Sequence, residues 1–176
     1  MENNFFNILF SRKSVRNFTD KEVTKEQLEH IVKAGMTAPS AMNKQPWTFI
    51  IIDDRKLLDT LGDRLPHSKM LMQASAAIIV CGDMHKALED WQQEYWVQDC
   101  SAASMNILLA TEAMGLGSVW TGLYPAKGRV RTVVELLGLP EHIIPLNAIP
   151  IGYPAGIETP KDKFNPSAIH WNGWKK

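Results

Sequence analysis

The spacing of apolar positions changes several times along the chain, and each change predicts an element. FFNILF over 5–10 predicts a short first helix. Thr24-Lys25-Glu26-Gln27 reads as a capping box, in which a Thr hydroxyl takes one orphan N–H and a Gln side chain reaches back to the cap. Leu28, Ile31, Val32 and Gly35 then recur at helical spacing, and the helix should end before Pro39. WTFIIIDD, 47–54, is β-branched and aromatic and predicts a buried strand. Arg55 to Leu61 predicts a short helix stopped at Gly62, and SAAIIVCG, 75–82, a second strand. Residues 83–90 are polar and read as a surface connection. Trp91 to Met114 is the longest helical candidate, ended by Gly115 and Gly117. SVWTGL, 118–123, predicts a third strand, and Val130 to Leu137 a helix stopped at Gly138. IIPLNAIPIGYP, 143–154, predicts a fourth strand whose ladder bonds Pro145 and Pro150 limit.

Two stretches do not fit a solitary protomer. ASMNILLATEAM, 103–114, is apolar nearly all round apart from Asn106 and Glu112. A helix apolar on every side is normally buried on every side, which in a chain of 176 residues points to a second subunit. Residues 155–176 have no period, yet carry Ile169, Trp171 and Trp174. An arm that wraps a partner explains them better than a structureless tail. Strands interleaved with helices argue a single domain over 1–176 that mixes α and β, with no internal repeat.

Charge narrows the function. Lys and Arg number 19, Asp and Glu 19, so there is no net positive field for nucleic acid. An anion site must then be local, and SRKSVRNF, 11–18, is where Arg12, Lys13 and Arg16 crowd together. The longest apolar run, Ala76 to Cys81, is far too short for a membrane span, and MENNFFNILF lacks the basic region of a signal peptide. The expected compartment is the cytoplasm, with no membrane partner. Cys81 and Cys100 read as buried reduced thiols, and no Cys or His spacing of metal type appears among the scattered histidines.

Three stretches carry candidate chemistry. Arg presents a planar fork that grips phosphate in bidentate fashion, and Ser14 can add a hydroxyl donor; a solvated charged face is the plainer alternative. APSAMNKQPW, 38–47, is stiffened by two prolines and offers Ser40, Asn43 and Gln45, donors and acceptors suited to a heterocycle edge. It could equally be an ordinary helix-to-strand loop. In SVWTGLYP, 118–125, Gly122 lets backbone approach a flat ligand and Trp120 can pack beside it. GLGSVW, 115–120, is no dinucleotide fingerprint, because Trp120 replaces the third glycine and the order of helix and strand is wrong.

In this order, RKSVRNF, PSAMNKQPW, GLGSVWTGLYP, then GYP and a lysine-bearing tail, the stretches resemble the FMN-dependent nitroreductase family over nearly the whole chain. The resemblance implies an α+β fold with a mixed central sheet flanked by helices. It implies an intertwined homodimer with an exchanged C-terminal arm, 155–176, and two FMN sites in the interface. Carried over by position, Arg12 and Arg16 look like ligands of the phosphate and the flavin pyrimidine edge, with Lys13 and Ser14 in the same loop. Pro39, Ser40 and Asn43 look like flavin contacts, the first two reaching in from the partner. Trp120, Thr121 and Gly122 match the stretch along the ring near N5. Lys161 and Lys163 stand where a basic pair often closes on phosphate, although Asp162 lies between them and Lys replaces a common Arg.

The implied activity is ping-pong hydride transfer from NADH or NADPH through flavin N5 to a small-molecule acceptor, a nitroaromatic or a quinone, without an essential side-chain acid or base. Arg16 or Lys13 is the nominated cation for the charge of the reduced flavin. Flavin-fragmenting or dehalogenating relatives share the scaffold but tend to have a longer lid; DMHKALEDWQQEYWVQ, 83–98, is short, which favours an open generalist. The alternative is a dimeric flavin-binding sensor or store without turnover.

Overall fold

The computed structural model describes residues 4–174; residues 1–3 and 175–176 of the expected domain and arm lie outside it. The described residues form five α-helices: α1 (Asn4–Ser11), α2 (Lys25–Gly35), α3 (Arg55–Arg64), α4 (Tyr95–Ala113) and α5 (Lys127–Leu137). Five strands form one sheet: β1 (Trp47–Ile52), β2 (Ala76–Asp83), β3 (Gly117–Ser118), β4 (Thr121–Gly122) and β5 (Ile143–Gly152). β2 pairs with β1 and β5, and both β3 and β4 pair with β5.

The apolar period of two decides the layers. Ile78 and Val80 of β2 face a core with Leu28 and Ile31 of α2 and Cys100, Ala103 and Ile107 of α4. Ala77, Ile79 and Cys81 face the other side, against Leu58 and Leu61 of α3 and Val133 of α5. A sheet covered on both faces buries its central strand, and in β2 every position from Ala76 to Gly82 is buried. Each such Ile or Leu is worth about 1.5–3 kcal/mol relative to exposure.

The Thr24 capping box is present, with the hydroxyl accepting from Gln27 N at 3.2 Å and Gln27 Oε1 accepting from Thr24 N at 2.9 Å. Elsewhere tertiary contacts override the local signals. α3 runs through Gly62, because this glycine admits the next segment: a Cβ there would lie 2.6 Å from Met72 Cγ. The helix expected from Trp91 begins instead as a 3₁₀ turn, Asp90–Glu94, and becomes α-helical at Tyr95.

SVWTGL is not one strand but two short ladders separated by Val119 and Trp120. Extending the register puts Val119 opposite Pro150, which has no N–H to give, so the ladder breaks there. β5 is central despite its prolines, and its other proline, Pro145, sits at a register shift against β2. The expected mixed sheet is antiparallel in all four ladders of the described residues. The connections from β1 to β2 and from β2 to β5 each leave and re-enter at the same end, since Ile52 pairs with Ala77 and Asp83 with Ile143. None of the described helices is long and apolar enough to cross a membrane.

Candidate functional site

The stretch after α1 is held as extended chain by two apolar anchors. Val15 and Phe18 are buried, and Val15 N donates to Ser118 O at 3.0 Å beside β3. Both anchors press on glycines: a Cβ on Gly117 would lie 2.6 Å from Val15 Cγ1, and one on Gly152 2.8 Å from Phe18 Cδ1. The chain leaving β5 then pairs with the same stretch. Thr19 N donates to Tyr153 O at 2.8 Å, and Ala155 N to Asn17 O at 3.0 Å. The N-terminal cations and the root of the C-terminal arm are therefore neighbours by backbone pairing.

Between them lies a cavity of about 500 Å³ lined by Arg12, Lys13, Ser14, Arg16, Glu158, Lys161 and Lys163 among others. The six candidate cofactor-binding residues of the N-terminal loop and the arm, Arg12, Lys13, Ser14, Arg16, Lys161 and Lys163, thus line one cavity. Arg12 is half-buried and Arg16 exposed, and neither guanidinium is in an ion pair among the described residues. The Lys13 ammonium is engaged differently: it meets Glu112 Oε1 of α4 at 2.9 Å. Glu158 is the unexpected member. Its Oε2 is buried and has no hydrogen-bond partner, beside five cationic side chains.

The other candidate residues do not line this cavity. Pro39 and Ser40 lead into a 3₁₀ turn, Ala41–Asn43. Met42, Asn43 and Gln45 all have positive φ, near 50°, which side chains tolerate only when their surroundings fix them. The bracing is visible: Ser40 Oγ accepts from Gln45 N at 2.9 Å, Asn43 Oδ1 accepts from Gln45 Nε2 at 3.0 Å, and Asp99 Oδ1 accepts from Ala41 N at 2.8 Å. Ser40 and Asn43 thus shape their own loop. Asp99 is buried on α4, and that burial pushes its carboxyl above the ordinary value, partly offset by the bond from Ala41 N.

Trp120 is partly exposed between β3 and β4. The Thr121 hydroxyl oxygen is buried with no hydrogen-bond partner. Gly122 O accepts from Arg129 Nη1 at 3.0 Å. A Cβ on Gly122 would meet only Trp120 Nε1, at 4.0 Å, so packing among the described residues does not itself demand glycine.

The family model described as the nitroreductase family matches residues 9–66 and 63–153. The chain belongs to the nitroreductase family. Its relatives within that family include a protein of Archaeoglobus fulgidus, provisionally assigned as an NADH dehydrogenase/NAD(P)H nitroreductase. That protein is 43% identical over 170 residues, covering 95% of this chain and 97% of the relative. A crystal structure under the same provisional name from Parabacteroides distasonis superposes with a TM-score of 0.93 at 50% identity, covering 98% of this chain and 100% of that one. A nitroreductase-type structure from Desulfovibrio desulfuricans, in complex with FMN, gives a TM-score of 0.83 at 26% identity, covering 99% and 100%. The nitroreductase α+β fold expected from the sequence is therefore the fold observed.

Sequence reasoning missed Glu112, Glu158, Asp99 and Gly117. One had a signal: Glu112 is a lone acid in an apolar helix, and such a group needs a cation. Asn106, the other polar residue there, donates to Ala34 O at 3.3 Å and ties α4 to the end of α2. The remaining three depend on segments that meet only in the fold.

Proposed function

We propose that this nitroreductase is an FMN-dependent NAD(P)H oxidoreductase that reduces nitroaromatic or quinone-type acceptors, working as a homodimer. The observation that carries this reading is the shared wall of Arg12, Ser14, Arg16, Lys161 and Lys163 around one cavity of about 500 Å³. That volume lies in the range of cofactor sites. The donor set also fits the group: guanidinium and ammonium groups with a hydroxyl suit a phosphate monoester. The buried, unpartnered Thr121 hydroxyl and the uncrowded face of Gly122 fit the edge of a flat ring.

Bound FMN would supply the redox chemistry, accepting reducing equivalents from a nicotinamide at N5 and passing them to an acceptor in the same space. The chain's own residues bind and orient. Arg12, with Lys161 and Lys163 from the arm, holds the phosphate. Arg16 would set positive charge beside the bound flavin, which would favour its reduced, more negative form. Lys13 acts more weakly, because Glu112 already neutralises it. The loop 39–43, fixed by Asp99, presents backbone and amide groups to the ring edge, and a partner subunit would bring Pro39 and Ser40 to it. Trp120 and Gly122 would lie along the ring of the bound flavin. No side-chain acid or base is required.

The test is the absorption spectrum of the purified protein, followed anaerobically with NADH and with NADPH, then with a nitroarene and a quinone as acceptors. Yellow protein that one nicotinamide bleaches and an acceptor restores is the expected result. Protein that binds FMN but is bleached by neither nicotinamide would reduce it to a flavin-binding protein.

A further inference from the structure

A second cluster lies at the far end of β2, away from the cationic cavity. Asp83 closes β2, His85 follows two residues later, and His142 precedes β5. Asp83 pairs in register with Ile143, and Met84 N donates to His142 O at 2.8 Å. Backbone bonds therefore fix the two segments side by side. One ligand atom from each of Asp83, His85 and His142 lies within 4.8 Å of the other two. The two imidazole rings stack with centroids 3.9 Å apart and planes within 9°. Among the described residues, no ring nitrogen of this pair is engaged in a hydrogen bond or ion pair. Two imidazoles with uncommitted ring nitrogens therefore lie there beside a carboxylate.

We propose that Asp83, His85 and His142 bind a divalent first-row transition ion, with zinc as the representative. The donor set decides the class. Imidazole suits zinc, nickel, cobalt and copper, whereas calcium and magnesium prefer all-oxygen shells. Coordination bonds of about 2.0–2.2 Å put tetrahedral ligands about 3.4 Å apart, so the cluster must close by about 1.5 Å at most. An imidazole binds a metal in the plane of its ring, so the two stacked rings cannot share an ion as they stand; the exposed His85 side chain can rotate out of the stack and bring its nitrogen to the ion. Two present contacts of Asp83 bear on the site. Oδ1 accepts from His85 N at 3.1 Å, which a carboxylate oxygen can keep while binding metal. Oδ2 faces Lys86 Nζ at 3.5 Å, and the Lys86 side chain is more than half exposed and can swing into solvent.

The ion would act as a structural tie. Asp83 N donates to Pro46 O at 2.6 Å, so the cluster backs onto the end of the 38–47 loop. Bridging residues 83–85 to residue 142 would brace the connection that leads into α4. None of the three residues lines the cationic cavity, so this proposal stands apart from the flavin reading.

The experiment uses the full chain free of any affinity tag, stripped with chelator and titrated calorimetrically with zinc chloride. One ion per chain is expected, and His85→Gln and His142→Ala should each weaken binding by about tenfold or more. His170→Ala, in the arm, should leave it unchanged, and calcium chloride should give no comparable binding. Cobalt chloride should produce visible ligand-field bands that both imidazole variants lose. His85→Gln alters an exposed side chain, so it serves even if His142→Ala fails to fold. Absence of stoichiometric zinc binding, equal affinity in His85→Gln, loss of binding in His170→Ala, or calcium binding as tight as zinc would each overturn the proposal.

Discussion

Arg12 and Glu158 face the same cavity with opposite charge, and they should answer to substitution in opposite directions. Removing Arg12 leaves phosphate charge unpaired, and a charged hydrogen bond contributes about 1.5–3 kcal/mol. Arg12→Ala should therefore weaken FMN binding by roughly tenfold to a hundredfold, read by fluorescence quenching on titration with FMN. Glu158→Gln removes a like charge from the phosphate's surroundings and should tighten binding by roughly threefold to tenfold. If both variants bind as the unsubstituted chain does, the phosphate is elsewhere. Asp99 makes a different kind of prediction. Its folded-state pKa is raised above the ordinary 3.8, chiefly by burial. The folded chain then holds this proton more readily than the unfolded chain, so the group's contribution to stability falls as pH rises above about 4. Asp99→Asn keeps an oxygen for Ala41 N but does not titrate. Its urea midpoint should gain on that of the unsubstituted chain as pH goes from 4 to 7. A difference that shrinks over this range would show that Asp99 is stabilised as a carboxylate.

Among the elements, the stretch 12–18 depends on contacts that its own sequence does not contain. Val15 lies against Gly117, where an added Cβ would come within 2.9 Å of three Val15 atoms. A β-branched side chain that is buried cannot swing away. Gly117→Ala should cost about 1–3 kcal/mol in chemical denaturation. It should also loosen the proposed phosphate site, since Val15 sits between Ser14 and Arg16. Gly128, in the first turn of α5, is the control: nothing lies within 4 Å of a Cβ there. Gly128→Ala should be neutral or stabilising by up to about 1 kcal/mol. Equal effects at the two glycines would mean that close packing on Val15 is not what matters.

For the whole molecule, the question is what covers the exposed apolar surface. Phe10, Phe164, Trp171 and Trp174 are each about three-quarters exposed, and Ile157 almost wholly so. α1, α2 and α4 also leave a groove lined by Ile8, Ala34, Leu109, Ala110 and Ala113. The arm and the groove are the surfaces that the proposed homodimer would bury. The protein should sediment as a dimer. The double variant Trp171→Ala/Trp174→Ala should dissociate at protein concentrations at least about tenfold higher, as judged by sedimentation equilibrium, because buried Trp side chains dominate interface energetics. A dimer unchanged in this variant would remove the arm from the interface.

Local signals were sufficient wherever one segment's own side chains settle its conformation. The capping box at Thr24, the strand expected over 75–82 and found as Ala76–Asp83, and the stop at Gly138, which adopts φ 62°, were all legible in sequence. So were the cations of SRKSVRNF and the lysines of the arm as members of one group, through ordered motifs that resemble a family. What could not be read is what depends on distant neighbours. Gly62 looks like a helix stop until Met72 packs on it, and SVWTGL looks continuous until Pro150 stands opposite. Lys13 finds Glu112 across 99 positions, and His85 meets His142 only because β2 and β5 are paired. Sequence spacing encodes the period of a helix or strand; which atoms share a cavity is set by the register between strands and by what each helix covers.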